Sequence, residues 1–135
     1  MILLDRRNRL LENIDFIKRA YVNLITLKQL ESEACENSSY EVLHELSENE
    51  RRIIEDINGT LKIIVPDIVY LRGDEKISRG IREIEGLQTS LIQKSMNLRE
   101  NIEQKMFATK KELDRLSAVP RPIGTPAPAI LNVRA

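Results

Sequence analysis

The chain has 135 residues, of which 41% are hydrophobic, 31% charged and 4% aromatic, and its 21 basic side chains balance 21 acidic ones. That length holds one domain of ordinary size and leaves no room for two independent cores. A formal charge of zero with no basic stripe argues against a nucleic-acid binder, and the scarcity of large rings argues against an enzyme core.

What remains is a composition suited to long helices, rich in Leu, Ile, Glu, Lys and Arg. Cys35 is the sole cysteine, so no intramolecular disulfide can form and a reducing compartment is expected. The opening Met1-Ile2-Leu3-Leu4-Asp5-Arg6-Arg7 meets charge after four apolar residues and has no secretory h-region. Ile63-Ile64-Val65 is far short of the roughly 20 apolar residues a membrane span requires. Together these features lead us to expect a soluble, cytoplasmic protein without a membrane span.

The first predicted element is a helix over about Leu3 to Cys35. Its apolar positions fall at Leu10, Ile14, Ile17, Tyr21, Leu24, Leu27, Leu30 and Ala34, steps of three and four that trace one stripe. Asn37-Ser38-Ser39 breaks it, and Ser39 is the expected N-cap of the next helix. That helix carries Leu43, Leu46, Ile53, Ile57, Leu61, Ile64, Ile68 and Leu71, with charged Glu50 filling the one gap in the stripe. Pro66 removes a hydrogen-bond donor and clashes with the carbonyl four residues back, so a kink or break is expected near Val65. The β-branched run Leu61–Val65 leaves a strand there as a minority alternative.

Gly73 is expected to end the second helix in a left-handed conformation, and Asp74 to cap the third. The third helix, from about Asp74 to Ser117, carries Ile77, Ile81, Ile84, Leu91, Leu98, Ile102, Met106, Leu113 and Leu116. Gln88, Ser95 and Thr109 occupy alternate stripe positions. Gly80 and Gly86 each cost up to about 1 kcal/mol relative to Ala in a helix, so its start should be weak unless something packs there. Residues 118–135 contain Pro120, Pro122, Pro126 and Pro128 with no acid, and are expected to form an extended, flexible tail ending in apolar Ile130-Leu131. The fold class is thus all-α: an antiparallel bundle of three long helices with coiled-coil character over residues 1–117, followed by a Pro-rich tail over 118–135.

No catalytic constellation emerges, so no enzyme, metal or cofactor is expected. His44 is the one histidine and reads as a surface side chain; Cys35, with Glu33 and Glu36 close by, reads as an inert structural thiol. The acidic residues stand beside Lys or Arg, as Glu48 with Arg51 and Arg52, which marks solvated helix faces. Arg72-Gly73-Asp74 reads as a chance tripeptide. The informative feature is a mismatch of lengths. A helix of about 44 residues runs roughly 65 Å, longer than the first helix and than a second one interrupted at Pro66. Part of its apolar seam is therefore expected to be exposed or exchangeable.

The segment Leu27 to Ile57 resembles the FlgN-type flagellar export chaperones: a first helix ending in a Leu- and Glu-rich stretch, a short polar turn, and a helix whose leucines lead to a charged residue and an Ile pair. Here Leu43, Leu46, Glu50, Ile53 and Ile54 fill those places, and the long last helix and proline-bearing tail are similar in layout. The resemblance implies a cytoplasmic type III secretion chaperone. Its partners would be the C-terminal amphipathic helical segments of hook–filament junction proteins, kept from premature association until export. It also implies contact with the export apparatus, although Pro120–Thr125 stands where many members carry a tyrosine-containing segment ending in Lys-Gly. Exposed apolar stripes of such clients would aggregate unless covered, and a helix offering Leu and Met at three–four spacing can cover them. On this reading the protein-binding residues are Leu91, Leu98, Ile102, Met106, Leu113 and Leu116, with Ile130 and Leu131 of the tail. Two alternatives stand beside it: a homodimeric coiled-coil scaffold whose third helix pairs with its own copy, and a related chaperone of filament or cap subunits.

Overall fold

The computed structural model describes residues 2–117, which form three helices: α1 (Ile2–Glu36), α2 (Tyr40–Tyr70) and α3 (Glu75–Ser117). The Pro-rich tail, with Ile130 and Leu131, lies outside the described residues. The chain divides into two compact units, Met1–Leu98 and Arg99–Ala135, with the division inside α3.

Met1–Leu98 is an up-down-up three-helix bundle whose directions can be read from its side-chain pairs. Arg6 bonds Asp67, while Lys28, further along α1, reaches back to Glu50, so α1 and α2 run antiparallel. Arg7 pairs with Asp74, Lys18 with Glu83 and Tyr21 with Gln88, at sequence separations of 67, 65 and 67. A constant separation means that α3 runs parallel to α1. The core lies along the stripe Leu10, Ile14, Ile17, Tyr21 and Leu24 of α1, against Ile57 and Ile64 of α2 and Ile77 and Ile84 of α3. Leu61, Ile68, Leu87 and Leu91 pack at its margin.

The helix ends follow local chemistry. At the end of α1, Ser39 N–H donates to Ala34 O (2.8 Å) and Ser38 N–H to Cys35 O (3.1 Å), a Schellman closure with Ser38 at φ 55°. Ser39 holds the N-cap position of α2, as expected, but its side chain makes no capping hydrogen bond. Asp74 does cap α3: its Oδ1 accepts from the N–H groups of Lys76 (3.0 Å) and Ile77 (3.2 Å). Its other oxygen accepts from Arg7 Nε at 2.5 Å, and that bond is the main reason the carboxyl is held below its ordinary range. The aspartate of the Arg-Gly-Asp tripeptide is thus committed to the fold.

Two expectations are corrected and two alternatives are narrowed. Of the kink or break expected near Val65, the break does not occur: the helix continues through Pro66 to Tyr70. The proline stands near the C-terminal end and deprives only the carbonyl of exposed Lys62, which water can satisfy, while fully buried Ile64 and core-packed Ile68 hold the segment down. Leu61–Val65 is helical, not a strand. Gly73 does not adopt the left-handed conformation; the turn closes instead through Leu71 N–H to Asp67 O and Asp74 N–H to Leu71 O, both 2.9 Å. Leu30 is 42% exposed and Glu31, at 3%, takes the buried position. Seven residues from Leu24 bring the helix back to within 20° of the same direction, whereas six leave it about 120° away.

The start of α3 is secured by a close approach. An ideal Cβ on Gly80 would stand 2.8 Å from Ile14 Cγ2, so the missing side chain lets α3 settle against α1.

Candidate functional site

In Arg99–Ser117, Ile102, Met106, Thr109, Leu113 and Leu116 follow steps of four and three, which places them on one helical face. Ile102 and Leu113 are half-buried, Met106 and Leu116 are 50% and 56% exposed, and no residue of this stretch is buried. Thr109 does not interrupt the face with an unsatisfied hydroxyl, because its Oγ1 donates to Lys105 O at 2.9 Å, and Ser117 Oγ likewise donates to Leu113 O at 2.8 Å. Charges flank the stripe in local pairs: Arg99 with Glu103 (3.3 Å) and Arg115 with Glu112 (3.5 Å). Phe107, 65% exposed, lies off the stripe with the Lys111 ammonium 5.7 Å from its ring centre. An apolar face of this build offers dispersion and burial to a second helix and no chemistry to a small substrate.

The remaining candidates are distributed as follows. Leu98 is buried (7%) and Leu91 packs at the margin of the core, so both serve the bundle Met1–Leu98. Met96 is 53% exposed and Ile92 60%, a second apolar flank on α3 beside the stripe. Ile130 and Leu131 lie outside the described residues. His44 is exposed and Cys35 buried.

The spacing of apolar residues did not disclose a charged cluster between α1 and α2. Lys28 Nζ stands 2.7 Å from Glu50 Oε1 and 3.3 Å from Glu31 Oε2, with all three side chains at least four-fifths buried. Burial, followed by the hydrogen-bonding proximity of Glu50, pushes the Glu31 carboxyl up to about 7. Glu50 itself is lowered: burial acts against this, but bonding to Glu31 and then Lys28 outweighs it. Lys28 is raised, because its bonds and charge contacts with the two carboxylates overcome the opposing effect of burial. The signal in the sequence was Glu50 filling a core position of the α2 stripe.

An open cleft of about 650 Å³ between α1 and α3 is lined by Lys18, Val22, Glu83, Gly86 and Leu87 among others. Lys18 pairs there with Glu83 at 2.6 Å, and the third charged residue of the lining, Arg19, donates instead to Asp15 O at 3.4 Å. No described helix is long and apolar enough to cross a membrane. No protein-family profile, curated protein or solved structure matches the chain.

Proposed function

We propose that the protein is a chaperone of the FlgN kind, covering the C-terminal amphipathic helices of hook–filament junction proteins before their export. The observation that carries this reading is the apolar face Ile102–Met106–Leu113–Leu116, in a stretch of helix where no residue is buried. Full burial of an exposed apolar side chain is worth about 1.5–3 kcal/mol, and these four, already partly covered, gain a fraction of that each when a partner helix removes the rest from water. Clients that polymerise through terminal helices carry the matching stripe. The flexible thioether of Met106 lets one face serve clients that differ in detail. The resemblance over Leu27–Ile57 supplies the client class, and a reducing cytoplasm suits the single thiol.

The test is calorimetric titration of the full chain with a synthetic peptide of the junction-protein C-terminal segment. Saturable binding is expected, weakened about tenfold or more by Met106→Asp or Leu116→Asp, since 1.4 kcal/mol is a factor of ten. No binding by the intact protein overturns the reading. A stable dimer in light scattering that the peptide leaves unchanged would establish the scaffold instead, with α3 paired to its own copy.

A further inference from the structure

Glu31 is the one buried charged or polar residue among the described residues, 3% exposed, and its Oε1 has no hydrogen-bond partner there. The other oxygen is taken by Lys28 at 3.3 Å, and Lys28 is also held by Glu50 at 2.7 Å. As a carboxylate, Oε1 is a pure acceptor with no donor to meet it, which is a costly arrangement inside a protein. A proton resolves both problems together. It makes one of the two carboxyls held on the same ammonium a donor, and it leaves one negative charge for the one ammonium.

We propose that Lys28, Glu31 and Glu50 form a proton-operated latch between α1 and α2, closed when the two carboxyls share a proton and loosened when they lose it. Among the described residues, no other charge is placed to replace that proton. On α2, Arg51 is exposed and engaged by Glu48 and Glu55, and Arg52 is exposed. On α3 the register sets Leu98 level with Glu31, and Lys94, one turn earlier, is exposed. Proton loss therefore sets one buried and one largely buried carboxylate against a single lysine.

The direction in pH follows from the signs. The Glu31 carboxyl is raised in the folded state, so its contribution is complete below the ordinary carboxyl range and is lost as pH rises through about 7. Glu50 is lowered, and the stability it adds is lost only as pH falls below that range. Lys28 is raised, so its contribution fades only in strong alkali. Between pH 5 and 8, Glu31 is the member of the cluster that changes charge.

The decisive measurements use the full chain. Urea unfolding between pH 5 and 8 should show the folding constant falling on the order of 100-fold. Glu31→Gln, which keeps the shape and supplies a permanent donor, should be flat over the same range. Amide exchange corrected for its intrinsic pH dependence should quicken around Lys28–Glu31 and Glu50 as pH rises, with the Leu10–Leu24 stretch unchanged. If Glu31→Gln fails to fold, carboxyl carbon NMR of the wild type decides: a Glu31 midpoint near 7 that falls in Glu50→Gln supports the latch. A midpoint in the ordinary range overturns it, as does an equal pH slope in wild type and Glu31→Gln.

Discussion

The two halves of α3 carry the same pattern to different ends. Ile77 and Ile84 in the first half are 1% and 5% exposed, buried against α1 and α2. In the second half Ile102 and Leu113 are only half-buried, and Met106 and Leu116 are half-exposed. Residue types and spacing scarcely differ. An amphipathic stripe thus states which face of a helix prefers to leave water and says nothing about what will cover it. In Met1–Leu98 the cover comes from the same chain, and charged pairs such as Arg7–Asp74 and Lys18–Glu83 fix the register.

Truncating one leucine from each region gives the largest contrast. Leu24, 1% exposed, is enclosed by its neighbours, and Leu24→Ala should lower the unfolding free energy by about 2–5 kcal/mol, transfer and cavity terms together. Leu116→Ala removes a side chain that is 56% exposed and should stay within about 0.5 kcal/mol of wild type. Urea midpoints of the two variants measure both. Equal losses would break the comparison, because they would mean that the distal seam is covered in the free protein, by a second copy for instance.

A smaller effect sharpens the account of how α3 packs. Gly80→Ala gains up to about 1 kcal/mol of helix propensity. Against this, the new methyl would lie 2.8 Å from Ile14 Cγ2, on the branched and fully enclosed part of that side chain. Overpacking of this kind costs about 1–3 kcal/mol, so a net loss on the order of 1 kcal/mol is expected. Ile14→Ala should cost less in the Gly80→Ala background than alone, a coupling that a double-mutant cycle reads directly.

What the sequence disclosed and what it concealed separate along the same physical line. Helix extents and stripes are local: the expected Leu3–Cys35 and Asp74–Ser117 are found as Ile2–Glu36 and Glu75–Ser117. Asp74 as a cap is local too. Features that depend on how far one helix stands from another were not legible. Gly80 looked like a weakness, and only the approach of Ile14 shows it to be a fitting. Glu31 stands off the apolar stripe read through Leu30, because a polar side chain carries no stripe signal, and Lys28 and Glu50 gain meaning only once α2 is laid antiparallel. Pro66 does not end the helix, since the full proline penalty is that of a helix interior and its position near a C-terminus reduces it. For the distal seam the positions were legible and the occupant was not, because a stripe carries no signature of its partner.

The smallest expected effect separates the glycines by their surroundings. Nothing lies within 4 Å of a Cβ built on Gly86, or on Gly59 in α2, although both are helical like Gly80. An alanine at either site meets no neighbour, so the only changes are the loss of conformational freedom in the unfolded chain and better helix propensity. Each should raise the unfolding free energy by about 0.5–1 kcal/mol. Gly86→Ala and Gly80→Ala stand six residues apart in one helix and offer the same propensity gain, so the difference between their thermal midpoints isolates the contact with Ile14. If both variants gained stability, α1 and α3 would be less closely apposed at Ile14 than the 2.8 Å approach requires. If both lost it, the space around Gly86 would be filled by something the chain's own packing does not supply.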